Sequence, residues 1–344
     1  MTHARWNMAL AVGLLIVSIS VSRGQARDDN RDVVATVSGA NLTLSDLRGS
    51  EAGKLLQAEY QYYLSERKAL DELIDNRLLD DEARKRGVTL DELLNTVVYK
   101  DVKDPTDDQL EVYYEGLDTQ DSFDSVKSQV LDHIRELRRT KARTAFVDQL
   151  RKDAKIEIAL MPPTAEVNTT KAYVNGASDA RVTLVEFADY QCPYCQKVNP
   201  EIQKLKKEYG SALTVIYKDF PLPMHSQSQK AAEASRCAGE QGKFWEYHDV
   251  LYYSKELGVD ALKEHARVLK LNEDKFDTCL DSGAEADTVK ADLAEAKSLG
   301  LTGTPSFFVN GHFFSGVVDY DVLKQMIDQQ LNFGKSQKLL AATK

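Results

Sequence analysis

Apolar positions along the chain follow two different grammars. From Glu66 to Arg86, Leu70, Leu73, Ile74 and Leu78 recur at three- and four-residue spacing, one face of a helix that Gly87 stops. The same spacing recurs after a Thr89 cap, with Asp91 and Glu92 in the first turn, and after Pro105-Thr106, where Leu110, Tyr113 and Tyr114 share a face. The longest stretch runs from about Ser122 to Asp153 and carries Val126, Val130, Ile134, Leu137, Ala145 and Leu150. Ahead of these helices Val33–Val37 is extended, Gly39-Ala40-Asn41 turns the chain, and Thr43 or Ser45 caps the first helix. Behind them Lys155 to Leu160 alternates like a short return strand. Together these elements predict a mostly α-helical domain over 27–160. The basic run Arg135 to Arg143 on its longest helix reads as a solvated face, the alternative being a patch for acidic ligands.

A polar linker over 161–176, opened by Met161-Pro162-Pro163, leads to the second grammar at 177–334. Val182 to Phe187 reads as a strand that leads directly into Cys192-Pro193-Tyr194-Cys195. A helix continues to Tyr209, Leu213 to Tyr217 forms a second strand, and helical pattern fills about 226–299. Pro305 to Asn310 reads as a strand, Gly311 as a turn, His312 to Phe314 as the partner strand, and Asp319 to Leu331 as a closing helix. Strand, helix, strand, hairpin and helix make an α/β domain with a helical insertion about 226–299.

Charge narrows the function. With 44 Lys+Arg against 54 Asp+Glu the net charge is −10, which excludes phosphate-backbone binding as the main task, so no nucleic-acid partner is expected. Arg5, the uncharged run Met8 to Ser22, and Gly24-Gln25-Ala26 read as a signal peptide over 1–26. The run is short for a membrane span, which needs about 20 residues; an uncleaved anchor is the alternative. Export makes the protein periplasmic or otherwise extracytoplasmic, where disulfides persist.

Cys192-Pro193-Tyr194-Cys195 follows directly on the first strand and opens a helix. A zinc site needs a second ligand pair, and Cys237, Cys279 and six scattered histidines do not provide one, so no metal is expected. A redox pair fits. Unsatisfied N–H groups and the helix dipole favour a thiolate at Cys192, the exposed nucleophile, while Cys195, one turn inside, resolves the mixed disulfide. Pro193 is tolerated in the first turn. The chemistry requires no cofactor. Cys237 and Cys279 remain as an even pair, which in an exported protein forms a structural disulfide; the alternative is two buried free thiols. Among the histidines, His225 in PLPMHSQSQ stands out.

EFADYQCPYC and the later TGTPSFFVNG together resemble the DsbA-like thiol:disulfide oxidoreductases of the thioredoxin superfamily (thioredoxin_4 type) over roughly Gly176 to Leu331. The resemblance implies a thioredoxin-like fold. It also implies a cis Pro305 preceded by Thr304 beside the cysteines, offering backbone groups to a substrate strand. It further implies that Glu186, six residues before Cys192, lies buried below the pair and relays a proton for the resolving thiol, with Lys218 as its candidate partner. The strongly oxidising members carry His between the cysteines. Pro193 and Tyr194 stand here instead, and Tyr supplies no positive charge, so the expected potential is less extreme than about −120 mV.

VVATVSGANLTLSDL (33–47) and the helices after it resemble a SurA-type chaperone domain that lacks the usual inserted prolyl isomerase. That resemblance implies a cradle for unfolded polypeptide, or a homodimerisation arm. The expected function is an exported oxidoreductase that forms or isomerises disulfides. Its partners would be unfolded or cysteine-containing exported polypeptides and a membrane or soluble redox protein. The rival is a periplasmic holdase chaperone acting through the N-terminal domain.

Overall fold

The computed structural model describes residues 32–316 and 318–342; the expected signal segment lies outside them. The chain divides into two compact units, 1–52 and 53–344. In the first, β1 (Val33–Val37) pairs antiparallel with β2 (Ala40–Thr43) and leads into α1 (Leu44–Ser50). The turn falls on Ser38-Gly39, both at positive φ, so Ala40 and Asn41 belong to a strand and not to the expected turn. Thr43 caps α1 through a reciprocal pair with Asp46.

α2 runs from Ala52 to Arg86, all but its first residue in the second unit, and it starts well ahead of the Glu66 that periodicity suggests. α3 (Leu90–Leu93) begins at a Thr89–Glu92 capping box, and α4 (Asp107–Glu115) and α5 (Phe123–Asp153) come next. The basic run on α5 is tied up locally. Arg135 pairs with Asp104, Arg138 donates to Lys103 O and Gln109, and Arg143 donates to Asn76. Residues 155–160 form no strand. Ile158 is buried and its carbonyl accepts from Gln329, a side chain, so the extended segment has no ladder partner.

The sheet has the order β3-β5-β4-β6-β7. β4 (Val182–Ala188) lies at its centre, parallel to β5 (Leu213–Asp219) and antiparallel to β6 (Ser306–Val309). β7 (His312–Ser315) closes one edge. β3 (Tyr173–Asn175) closes the other, in a segment that reads as linker.

α6 (Pro193–Tyr209) leaves β4 directly. α7 (Ser228–Gly239), α8 (Phe244–Tyr253), α9 (Val259–Val268), α10 (Glu273–Ser282) and α11 (Ala286–Ser298) form the insertion, and α12 (Tyr320–Ala342) closes the chain.

Side chains alternate on β4, and each face meets a different cover. Val182 and Leu184 pack with Val198, Ile202 and Leu205 of α6 and Leu323 and Ile327 of α12. Val185 and Phe187 pack with Phe308, Phe313, Leu299 and the first turns of α2, through Leu56, Tyr60 and Tyr63. The start of α2 fits closely, because a Cβ on Gly53 would lie 2.4 Å from the Gly300 nitrogen. A Gly53→Ala change therefore forces backbone apart. We expect it to lower stability by about 1–3 kcal/mol, read by urea unfolding.

Candidate active site

β4 ends at Ala188 and the loop after it delivers Cys192 to the N-cap of α6, with Pro193 at the first helical position. The Cys192 N–H donates to Asp189 O at 3.1 Å. Asp189 is 2% exposed and organises two loops at once. Its Oδ1 accepts from Gln191 N–H at 2.8 Å. Its Oδ2 accepts from Leu222 N–H and faces His225 Nδ1, both at 2.8 Å. Gln191 Oε1 accepts from Gln227 N–H at 2.9 Å. His225 therefore belongs to a clamp between the CPYC loop and the loop after β5. Asp189 and Gln191 flank the motif in the sequence, but their role depends on a distant loop that only the fold brings near.

Cys192 and Cys195 are free thiols and both are buried. Cys192 is only 3% exposed, not the exposed nucleophile that its helix-end position suggests. The Thr304–Pro305 loop closes over it, with Thr304 O 3.5 Å from Sγ, while Tyr194 points outward at 59% exposure. The Thr304–Pro305 peptide is cis.

The two sulfurs are electrostatically opposed. Cys192 is pulled down to about 5, chiefly by a hydrogen bond from Cys195; burial opposes this, and the Thr304 hydroxyl and the N–H groups of Cys195 and Tyr194 add to it. The Thr304 hydroxyl has no other hydrogen-bond partner among the described residues and is free to donate to the thiolate. Cys195 is pushed well above its ordinary value by burial, then by Cys192 and the Glu186 charge. A value of about 5 lies between the ≈3.5 of DsbA and the ≈7 of thioredoxin. Hydrogen bonds thus stabilise the thiolate without an inter-cysteine histidine. Iodoacetamide labelling of Cys192 in the reduced protein is expected to be level from about pH 6.5 to 8.5 and to fall away near pH 5.

Glu186 is 2% exposed, and burial pushes its carboxyl up to about 8. Lys218 is not its partner. The parallel register sets Glu186 opposite Tyr217, so Lys218 projects from the other face. There Lys218 binds Asp292, Glu295 at 2.8 Å and Asn168 O at 2.9 Å. Beneath the cysteines lie Tyr190, Tyr217, His248 and Tyr252, an aromatic group that the sequence pattern does not bring together. Cys237 and Cys279 form a disulfide that joins α7 to α10.

The sequence profile of the family described as Thioredoxin (Thioredoxin_4) matches residues 168–329. This part of the chain is a thioredoxin-like domain. A curated relative, the Na(+)/H(+) antiporter NhaA 3 of Salinispora tropica, is 36% identical over 172 residues, which are 49% of this chain and 26% of the antiporter. The chain thus spans about a quarter of the length of the curated relatives it matches. No described helix is long and apolar enough to cross a membrane.

Among solved structures, a thioredoxin-like oxidoreductase from Silicibacter pomeroyi DSS-3 is 30% identical with a TM-score of 0.42, covering 47% of this chain and 92% of that one. BdbD from Bacillus subtilis, in its oxidised form, is 25% identical with a TM-score of 0.46, covering 49% and 97%.

Proposed function

We propose that the protein is an exported thiol:disulfide oxidoreductase that exchanges disulfides with cysteine-containing polypeptides through Cys192 and Cys195. One observation carries the reading: a thiol held down to about 5 at a helix N-cap sits beside a buried thiol pushed far up. The first is a stable thiolate and a good leaving group, while the second stays protonated until a base takes its proton.

In the oxidising direction a substrate thiolate attacks Cys192 Sγ of the Cys192–Cys195 disulfide. The electron pair passes to Cys195, which takes a proton from Glu186. A second substrate thiolate then attacks the substrate sulfur of the mixed disulfide and expels Cys192 as thiolate. In the isomerising or reducing direction Cys192 attacks a substrate disulfide, and Cys195 releases the enzyme after giving its proton to Glu186.

Cys195→Ser is expected to accumulate mixed disulfides with exported polypeptides, visible as thiol-sensitive adducts on gels, and Cys192→Ser to accumulate none. Equal trapping by both variants would sink the reading. The reduction potential, measured in glutathione buffers, is expected between about −270 and −120 mV, since Cys192 lies between the thioredoxin and DsbA values.

A second reading is a holdase chaperone with a SurA-like N-terminal domain. It draws on Val33, Val34, Val37 and Leu42, apolar side chains exposed on the β1–β2 hairpin. Its test is a Cys192→Ser, Cys195→Ser double variant that still suppresses aggregation of a reduced client.

A further inference from the structure

His248, on α8, is 2% exposed. Its Nδ1 lies 3.1 Å from Asp249 Oδ1, and its Nε2 has no partner among the described residues. A carboxylate only accepts, so Nδ1 carries the hydrogen and Nε2 is a bare acceptor. Burial pushes the imidazole down and keeps it neutral.

Other buried polar atoms nearby also lack partners among the described residues: the hydroxyls of Tyr190, Tyr217 and Tyr252, whose rings pack against His248, and Glu186 Oε1 on β4 and Asn199 Nδ2 on α6. Glu186, Asn199 and His248 line one cavity of ≈10 Å³, room for about one water molecule. Their chemistry is complementary. The Asn199 amide and the protonated Glu186 carboxyl donate, and His248 Nε2 accepts. One water accepting from the first two and donating to the third leaves no orphan among them. At the far side, Asp249 is 48% exposed and also accepts from Gln203 Nε2 at 3.3 Å.

We propose that His248 is the proton exit for Glu186, receiving its proton across one bound water and passing another to solvent through Asp249. The proposal deepens the oxidoreductase reading, since it presupposes that Glu186 exchanges protons with Cys195.

The steps balance. Glu186, neutral at rest, gives its proton through the water to His248 Nε2 while the Nδ1 proton leaves through Asp249. The carboxylate then takes the Cys195 proton. The Cys195 thiolate attacks Cys192 Sγ of the mixed disulfide, the bond to the substrate sulfur breaks, and the substrate leaves as thiolate. One proton has reached solvent, and the new S–S bond replaces the old. The titratable groups facing His248 are Asp249 on its own helix, Glu186 on β4, Lys206 of α6 across the cavity, and Tyr190, Tyr217 and Tyr252, whose rings pack against it.

The test is the reaction of the reduced protein with 5,5′-dithiobis(2-nitrobenzoate) at pH 7. The first thionitrobenzoate released reports attack by Cys192, and the second reports resolution by Cys195. His248→Phe is expected to leave the first phase unchanged and to slow the second about tenfold, as is Glu186→Gln. The double variant should be no slower than Glu186→Gln alone, because the two residues act in series. A merely structural role for His248 would make the losses multiply, and that result overturns the proposal. So does an unchanged second phase in the His248 variant while Glu186→Gln is slow. An unchanged second phase in Glu186→Gln overturns the relay role of Glu186, and this proposal with it. If His248→Phe does not fold, His248→Gln decides by the same readings.

Discussion

Methionine in place of Arg236 is expected to cost about 3–5 kcal/mol of stability at pH 7, more than any other single change to an ion pair among the described residues. Arg236 is 2% exposed, and its guanidinium joins Asp219 at the end of β5 to Asp292 on α11. Both carboxyls are buried, and Asp292 also holds Lys218. Burial pushes Asp219 up to about 6, Arg236 pulls it back, and Asp292 pushes it further.

Methionine fills the space but leaves two buried carboxylates facing each other without their shared cation. Asp219 is then expected to bind a proton, while Asp292 keeps its ion pair with Lys218. A folded-state value raised above the ordinary 3.8 means that stability falls as pH rises through that window. The loss should therefore be larger at pH 7 than at pH 5. Urea unfolding at both values, with the Cys237–Cys279 bond kept oxidised, checks this. A loss under about 1 kcal/mol at both would mean that the charges are solvated and the network is not structural.

The network also marks the limit of what sequence patterning reveals. The central elements are readable because their signals are local. Val182–Phe187 is a mostly apolar run broken by Thr183 and Glu186, Cys192 comes soon after it, and Thr304-Pro305 heads a β-branched and aromatic strand. Arg236 carries no such signal. α7 is buried on nearly every side, so the Ala-rich run around Arg236 has no polar face to contrast with an apolar one.

Glu186 is legible as an acid before the motif, whereas its relation to Lys218 depends on register. A parallel pairing one residue away would have put them on one face. Tyr173–Asn175 reads as linker because three residues are too few to show alternation, and only Tyr217, Ile216 and Val215 across the ladder make them a strand. His248 reads as one more position in FWEYHDVLYY. Its importance comes from Asn199 and Glu186, which approach from two other elements.

Glutamine at position 186 is expected to stabilise the protein while slowing it, and the size of the gain comes from linkage. Glu186 titrates near 4.5 in an unfolded chain and near 8 in the folded one. Between those values the native state holds a proton that the unfolded state has released, so stability declines as pH rises across the window. At pH 7 the penalty is 2.5 units at 1.36 kcal/mol each, about 3 kcal/mol. It is absent below about pH 4.5 and complete above about pH 8.

Glutamine keeps the shape and cannot ionise. Its advantage should therefore be near zero at pH 4, grow by about 1.4 kcal/mol per pH unit, and level off above pH 8. Cys192 does not mimic this trend in the oxidised protein, where it has no thiol to titrate, so urea midpoints of the oxidised form at pH 4, 6 and 8 isolate Glu186. A gain independent of pH, or a loss at pH 8, would mean that Glu186 is not a buried neutral acid. The same substitution leaves Cys195 well above its ordinary value with no base to take its proton, so release from mixed disulfides should slow. A residue whose removal strengthens the fold and weakens turnover is retained for its chemistry, because packing alone would favour its loss.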